Sequence, residues 1–397
     1  MGSSLRLLAA LSIQALVLFV GIIALTAFAG PHKGAAHAAG AASMPAAPAA
    51  SLPSPRIQVA LLLDVSNSMD GLIDQAKAQL WNTVNLLAKA TCQGQQPPIS
   101  FALYEYGRSN NPVAAGYVRQ INGFITDLDS LSMNLFSLST YGGDEYCGQA
   151  MLSSLEQLAW DTGSRSYKVI FIAGNESFRQ GPVPYTRACE VARQKGVVIN
   201  TIYCGSREQG IREFWNLGAE CGNGSFTHIN QDARPEEPPT PYDSVLLALN
   251  TRLNGTYIAY GNQGAALQQR QYMADAKNLQ LSTSAALNRV AAKSVGRVYN
   301  NANWDLVDAA ATNPELLEQA ASSYWPDSLK SKTPAQVKQI VQQKQQERTN
   351  LQKQITDLST KRQAWLQQHS PRPKEANLQT AMEKAIKEQA GRYGMQW

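Results

Sequence analysis

Asp64, Ser66 and Ser68, at alternate positions in Asp64-Val65-Ser66-Asn67-Ser68, are the residues of this chain best placed to do chemistry. A carboxylate and two hydroxyls are hard oxygen donors, which suit Mg²⁺ or Mn²⁺ rather than Zn²⁺ or Cu²⁺. The segment follows the apolar run Ile57-Gln58-Val59-Ala60-Leu61-Leu62-Leu63 and precedes a helical pattern that begins near Gly71. A buried strand opening into a loop puts such donors at the carboxyl edge of a sheet, where open α/β folds bind ligands. The expected chemistry is the holding of a hard cation on a rigid edge.

An edge of that kind needs a sheet behind it. Strands fit residues 57–63, 99–106, 117–123, 167–173, 197–203 and 225–229, and helices fit 71–90, 127–137, 147–160, 184–195 and 207–219. Apolar strands separated by helices predict an α/β, doubly wound, mostly parallel six-stranded sheet covered on both faces. The direct passage from 106 to 117 predicts a hairpin and an antiparallel edge. Four prolines in Ala233-Arg-Pro-Glu-Glu-Pro-Pro-Thr-Pro241 close the domain, because proline neither continues a helix nor donates to a ladder.

A strand, then Asp64-x-Ser66-x-Ser68, then a helix, inside a doubly wound domain at 57–232, resembles the von Willebrand factor A domain. The Asp-x-Ser-x-Ser segment is similar to the first part of that family's metal-ion-dependent adhesion site. The resemblance implies two further loops at the metal. Thr140-Tyr141-Gly142-Gly143-Asp144-Glu145 matches the second, with Thr140 as a direct or water-mediated ligand. The third departs from the family. Where Thr-Asp-Gly is expected, this chain has Ala173-Gly174-Asn175-Glu176, so one negative charge is lost unless Glu145 or Glu176 supplies it. Mg²⁺ keeps several waters and needs few carboxylates, so Asp64, Ser66, Ser68, Thr140, Glu145 and Glu176 remain the candidate ligand set. Tyr104, Tyr106 and Arg108 are candidates for the rim, and the tyrosines equally fit half-buried strand positions.

The rest of the 397-residue chain frames this domain. Residues 1–29 carry an apolar run at 7–29 that fits either a cleaved signal peptide, with Ala27-Phe28-Ala29 before Gly30, or a membrane anchor. Residues 30–56 are an Ala/Pro-rich linker, 233–243 a Pro-rich linker, 244–329 a mainly α-helical region and 330–397 a basic helical tail. Thr256–Tyr260 is a possible extra strand. In the tail, Val337, Val341, Lys344, Arg348, Leu351, Ile355, Leu358, Arg362 and Trp365 follow 4–3 spacing, as in a coiled coil or a helix docked along a groove. Pro371 and Pro373 end that helix before a short final one.

Charge is unevenly spread. Residues 57–232 hold 12 Lys+Arg against 16 Asp+Glu, and residues 330–397 hold 13 against 5. A basic tail suits an anionic membrane surface or an envelope complex. Nucleic acid is not the expected partner, because the basic helix has almost no interleaved aromatics. The expected location is periplasmic or otherwise extracytoplasmic, with residues 7–29 either cleaved off or anchoring the chain in the inner membrane. Five cysteines fit an oxidising compartment, and Cys147–Cys204 is a possible pair at the ligand edge.

Catalysis is not expected. Neither Gly-x-Ser-x-Gly nor a phosphate loop ending in Lys-Ser/Thr is present, and His228 is the only histidine of the α/β domain. The expected function is a non-catalytic, cation-dependent module that binds a protein partner presenting Asp or Glu. The alternative is a metal-independent scaffold or tether acting through the C-terminal helices.

Overall fold

The computed structural model describes residues 54–233, 237–319, 325–370 and 377–397. The leader expected at 1–29, most of the linker 30–56, residues 234–236 and the prolines at 371 and 373 lie outside them. Among the described residues, no helix is long and apolar enough to cross a membrane.

Strand β1 (Ile57–Asp64) is buried at every position, so it must lie inside the sheet with both faces covered. It pairs in parallel with β3 (Ile99–Tyr106) on one side and β5 (Tyr167–Gly174) on the other. With β2 (Thr91–Cys92), β4 (Arg119–Ile125), β6 (Val198–Cys204), β7 (Asn223–Ile229) and β8 (Met395–Gln396), eight strands are formed among the described residues. The main sheet runs β4-β3-β1-β5-β6-β7, with β4 antiparallel to β3 and every other pair parallel. That is the expected six-stranded architecture, with the antiparallel strand at the edge and its start shifted from residue 117 to Arg119. Strand β1 stands where chain order reverses, which is where such sheets bind ligands.

Alternation in β1 assigns its two faces. Val59, Leu61 and Leu63 join one core, while Ala60 and Leu62 join the other. Helices α1 (Asp70–Ala88) and α2 (Leu128–Ser137) cover the first face. Helices α3 (Cys147–Gln157), α4 (Tyr185–Lys195) and, past the short α5 (Arg207–Arg212), α6 (Trp215–Cys221) lie on the second. The helix expected at 207–219 is broken. Phe214 adopts φ 67° between α5 and α6, which turns Trp215 into the core, where its carbonyl accepts from the Thr201 hydroxyl. A left-handed non-glycine residue costs about 1–2 kcal/mol, and burying the Trp215 indole offsets it.

The disulfide joins Cys189 of α4 to Cys221 at the end of α6. The expected Cys147–Cys204 pair does not form, and both thiols are buried and free, as is that of Cys92. The reason is geometric: Cys147 packs in the second-face core and Cys204 in the first-face core, so the sheet separates them.

Downstream come α7 (Asp243–Asn254), α8 (Gly264–Leu281), α9 (Thr283–Lys293), α10 (Leu306–Thr312), α11 (Leu316–Gln319), α12 (Asp327–Lys330), α13 (Pro334–His369) and α14 (Leu378–Ala390). Thr256–Tyr260 is not a strand and makes a single bridge, Ala259 to Asp305. Helix α13 begins with a capping box between Thr333 and Gln336 and with Pro334 in its first turn. Its 4–3 seam does not serve a coiled coil. Val337, Val341, Leu351 and Ile355 pack inside this chain. Arg348 and Arg362 sit buried on the same seam, Arg348 bonded to Asp305 and Asp308 at 2.6 Å each, Arg362 to Asp243 at 3.0 Å and Glu237 at 2.5 Å. Two arginines at seam positions are tolerated because carboxylates on neighbouring elements meet them. Helix α14 then returns to the first face of the sheet, with Gln389 bonded to Tyr167, Asn200 and Ser225, and β8 closes on β2.

Candidate metal centre

Three loops meet at the carboxyl end of β1. Asp64 ends the strand, Ser66 follows it, and Ser68 lies in a single 3₁₀ turn, Asn67–Met69, that leads into α1. Backbone bonds gather the other loops: Tyr141 N–H donates to Val65 O at 2.8 Å, and Ser109 N–H to Gly142 O at 2.9 Å. The third loop follows β5, where the Asn175 amide donates to the Ser68 hydroxyl at 3.1 Å.

Asp64 is fully buried. One of its oxygens, Oδ1, accepts from Ser66 N–H at 2.8 Å, while Oδ2 has no hydrogen-bond partner. The Ser66 hydroxyl, also buried, lies close enough to Asp64 and Glu145 to favour their ionised forms but makes no well-formed hydrogen bond. Burial pushes the Asp64 carboxyl up to about 7 from its usual 3.8, with the Ser66 N–H opposing and the charges of Glu145 and Glu176 adding to the rise. Burial pushes Glu145 up to about 7 as well, helped by Glu176. Orphaned buried oxygens are costly, roughly 1–3 kcal/mol for each neutral group and more for charged ones. A divalent cation would satisfy both atoms and reverse the pKa shifts.

Glycines shape the cradle. A Cβ at Gly107, where φ is +81°, would stand 2.7 Å from Asp64 Oδ1, and one at Gly174 would stand 2.9 Å from Asp64 Oδ2. Side chains at either position would fill the space beside the carboxylate.

The expected ligands divide into groups. Asp64, Ser66 and Glu145 are brought together in the buried floor, and Glu145 N–H is held by the Gln180 amide at 3.0 Å. Ser68 and Glu176 are exposed at its mouth. Glu176 acts on both floor carboxylates through its charge, and its backbone carbonyl accepts from the Trp215 indole at 2.7 Å. Thr140 is turned aside, donating to Asp70 Oδ1 at 2.5 Å. Among the described residues, no group of three or more His, Cys, Asp or Glu side chains is arranged to hold a metal. The donor set is therefore two floor carboxylates, Asp64 and Glu145, with neighbouring hydroxyls, an all-oxygen set of the kind that suits a well-hydrated hard cation.

Tyr104 and Tyr106 do not form the rim. Both are fully buried, with the Tyr106 hydroxyl donating to Ala173 O at 2.9 Å. The exposed aromatic at the edge is Tyr141. Asp70, Asn175 and Gln180 were not legible as site residues. Asp70 stands in the first turn of α1, where an acid is ordinary, and Gln180 reaches Glu145 across 35 positions of sequence.

No protein-family model matches this sequence, and no curated protein sequence matches it. Among solved structures, this chain is similar to proximal thread matrix protein 1 of the mussel byssus, at 14% identity and TM-score 0.32 over 45% of this chain and 43% of that one. Another structure of the mussel protein is described with a zinc-occupied MIDAS motif. It is also similar to BatB from Bacteroides thetaiotaomicron, at 16% identity and TM-score 0.32 over 44% of this chain and 90% of that one. A third is von Willebrand factor type A from Catenulispora acidiphila, at 14% identity and TM-score 0.33 over 45% and 39%. The chain thus spans less than half the length of the mussel and Catenulispora proteins. By its own strand order, its antiparallel edge strand and the Asp64-x-Ser66-x-Ser68 loop at the reversal point, the sheet domain of this chain has the fold of a von Willebrand factor A domain.

Proposed function

We propose that this chain is a non-catalytic binding module in which a divalent cation, Mg²⁺ or Mn²⁺, is held at the end of β1 and presented to a carboxylate of a protein partner. The observation that carries the reading is the fully buried Asp64 with an unpaired Oδ2 beside an unpaired Ser66 hydroxyl. Ser66 and Ser68 contribute hydroxyls, Glu145 closes the floor, and Glu176 and Tyr141 flank the mouth. Thr140, bonded to Asp70, acts through water or after that bond opens. With no Asp in the third loop, where the chain reads Ala173-Gly174-Asn175-Glu176, a partner's Asp or Glu supplies the missing charge.

We place the module outside the cytoplasm, a reading supported by the Cys189–Cys221 disulfide, since such bonds persist in oxidising compartments. Water-proton relaxation with Mn²⁺ tests the open position, using acetate as a minimal carboxylate. The expected result is an enhancement on adding the full chain that acetate then lowers. An enhancement that acetate leaves unchanged would mean that no exchangeable position faces a partner. A metal-independent tether remains the second reading, favoured by the engagement of Thr140 with Asp70, and EDTA would leave its assembly intact.

A further inference from the structure

Far from the metal edge, a groove of about 470 Å³ lies between the C-terminal half of α1 and helices α9, α13 and α14. Its size falls within the roughly 300–1,000 Å³ common for ligand sites. The lining mixes small apolar surface with many neutral polar side chains. Side-chain amides come from Asn82, Asn85, Asn288, Gln363, Gln367 and Gln379. Hydroxyls come from Ser294, Thr356, Ser359 and Thr360, and the Ser359 Oγ is buried without a partner. Three charged residues reach the groove. Arg362 is committed to Glu237 and Asp243, and Glu383 to Lys387, which leaves Lys89 as the one charge of the lining without an ion pair among the described residues. A single exposed lysine is little charge for a phosphate or nucleotide, and no unpaired carboxylate of the lining is left for a metal ion.

The geometry points to a binding site for a neutral oligosaccharide carrying acetamido groups. A sugar hydroxyl both donates and accepts, and each Asn or Gln side chain does the same in fixed geometry. The amides of Gln363 and Gln367 make no hydrogen bond among the described residues, so both are available to a ligand. Ala291, Val295 and Ala364 give small apolar surface suited to an acetamido methyl group. At the Leu86 end of the groove stands Trp397, 44% exposed, its indole N–H donating to Leu86 O at 3.2 Å. An indole anchored at its polar edge leaves a face on which a sugar ring can stack.

The test is titration calorimetry of the full chain with N,N′-diacetylchitobiose, cellobiose and tetraglycine in parallel. The inference expects saturable binding of diacetylchitobiose, markedly weaker binding of cellobiose, and none of tetraglycine. Ala364→Trp, an exposed helix position that tolerates a large side chain, should abolish binding by filling the groove while leaving the melting temperature unchanged. The milder Gln363→Ala/Gln367→Ala pair should weaken it roughly tenfold. Absence of diacetylchitobiose binding, equal binding by cellobiose, preference for tetraglycine, or undiminished binding by Ala364→Trp would each overturn the assignment. The Asp64 site lies outside this groove, so Asp64→Asn should leave saccharide binding intact.

Discussion

At the scale of residues, the account turns on a carboxylate held without a countercharge. Asp64 titrates near 7 in the fold and near 3.8 when unfolded. Between those values the folded chain retains a proton that the unfolded chain has lost. Stability therefore falls as pH rises from about 4 to about 7 and levels off above, and Glu145 adds to the same trend. A bound cation reverses the trend by favouring the ionised form. Asp64→Asn should thus raise the metal-free melting temperature at pH 8 by about 1–2 °C, the response of a cooperative unit of this size to roughly 1 kcal/mol. It should also remove any Mg²⁺-induced rise, and in the native chain that rise should be larger at pH 8 than at pH 5.5. Differential scanning fluorimetry checks both, and a lower metal-free melting temperature for Asp64→Asn would contradict the buried-charge account. Asp64, Ser66 and Ser68 were legible because one short loop carries all three. Asp70 and Asn175 were not, since their roles depend on which hydroxyls tertiary packing places opposite them.

At the scale of elements, the strands were readable from their apolar runs, and β1 most of all, because burial on both faces leaves an unbroken hydrophobic signal. The break at Phe214 left no comparable mark, as neither glycine nor proline stands there. Likewise, heptad spacing in α13 records an apolar stripe but not which molecule covers it. Its Arg348 also stacks over the Tyr257 ring, 4.0 Å from the centroid, and donates to Thr256. Removing one member of a buried ion pair leaves an uncompensated charge, so Arg348→Ala should cost about 3–5 kcal/mol in denaturant unfolding. A loss under 1 kcal/mol would show that Asp305 and Asp308 are met by solvent instead. The disulfide lies between elements that sequence order does not bring together. Three thiols should titrate in the denatured, unreduced chain. Replacing Cys189 and Cys221 by serine should cost about 3–4 kcal/mol for a loop of 32 residues.

At the scale of the whole molecule, the helical region and the sheet domain share a core. Leu246, Leu249 and Leu287 pack with Leu61 and Trp81, and α14 closes the first face beside α1. A buried charge cluster bridges the two: Arg289 of α9 bonds Asp129 of α2 at 2.7 Å and Asp275 of α8 at 2.5 Å, while Lys293 bonds Asp275 at 2.9 Å. Arg289 also lies over Trp81, 4.7 Å from the ring centroid. Scanning calorimetry should accordingly show one cooperative transition for the sheet domain and the helices together. Two separated transitions would mean that the shared core contributes little. Such interlocking was illegible beforehand, because Asp129 and Arg289 are 160 residues apart and each alone reads as a solvated helix charge.

The central claim is that the end of β1 holds a hard divalent cation through Asp64. Titration calorimetry of Mg²⁺ and Mn²⁺ into the full chain at pH 8, beside Asp64→Asn, tests it most directly. The account predicts saturable binding at one site per chain, lost in the variant and weakened below pH 7. Absence of binding in the native chain, or equal binding in the variant, would contradict it.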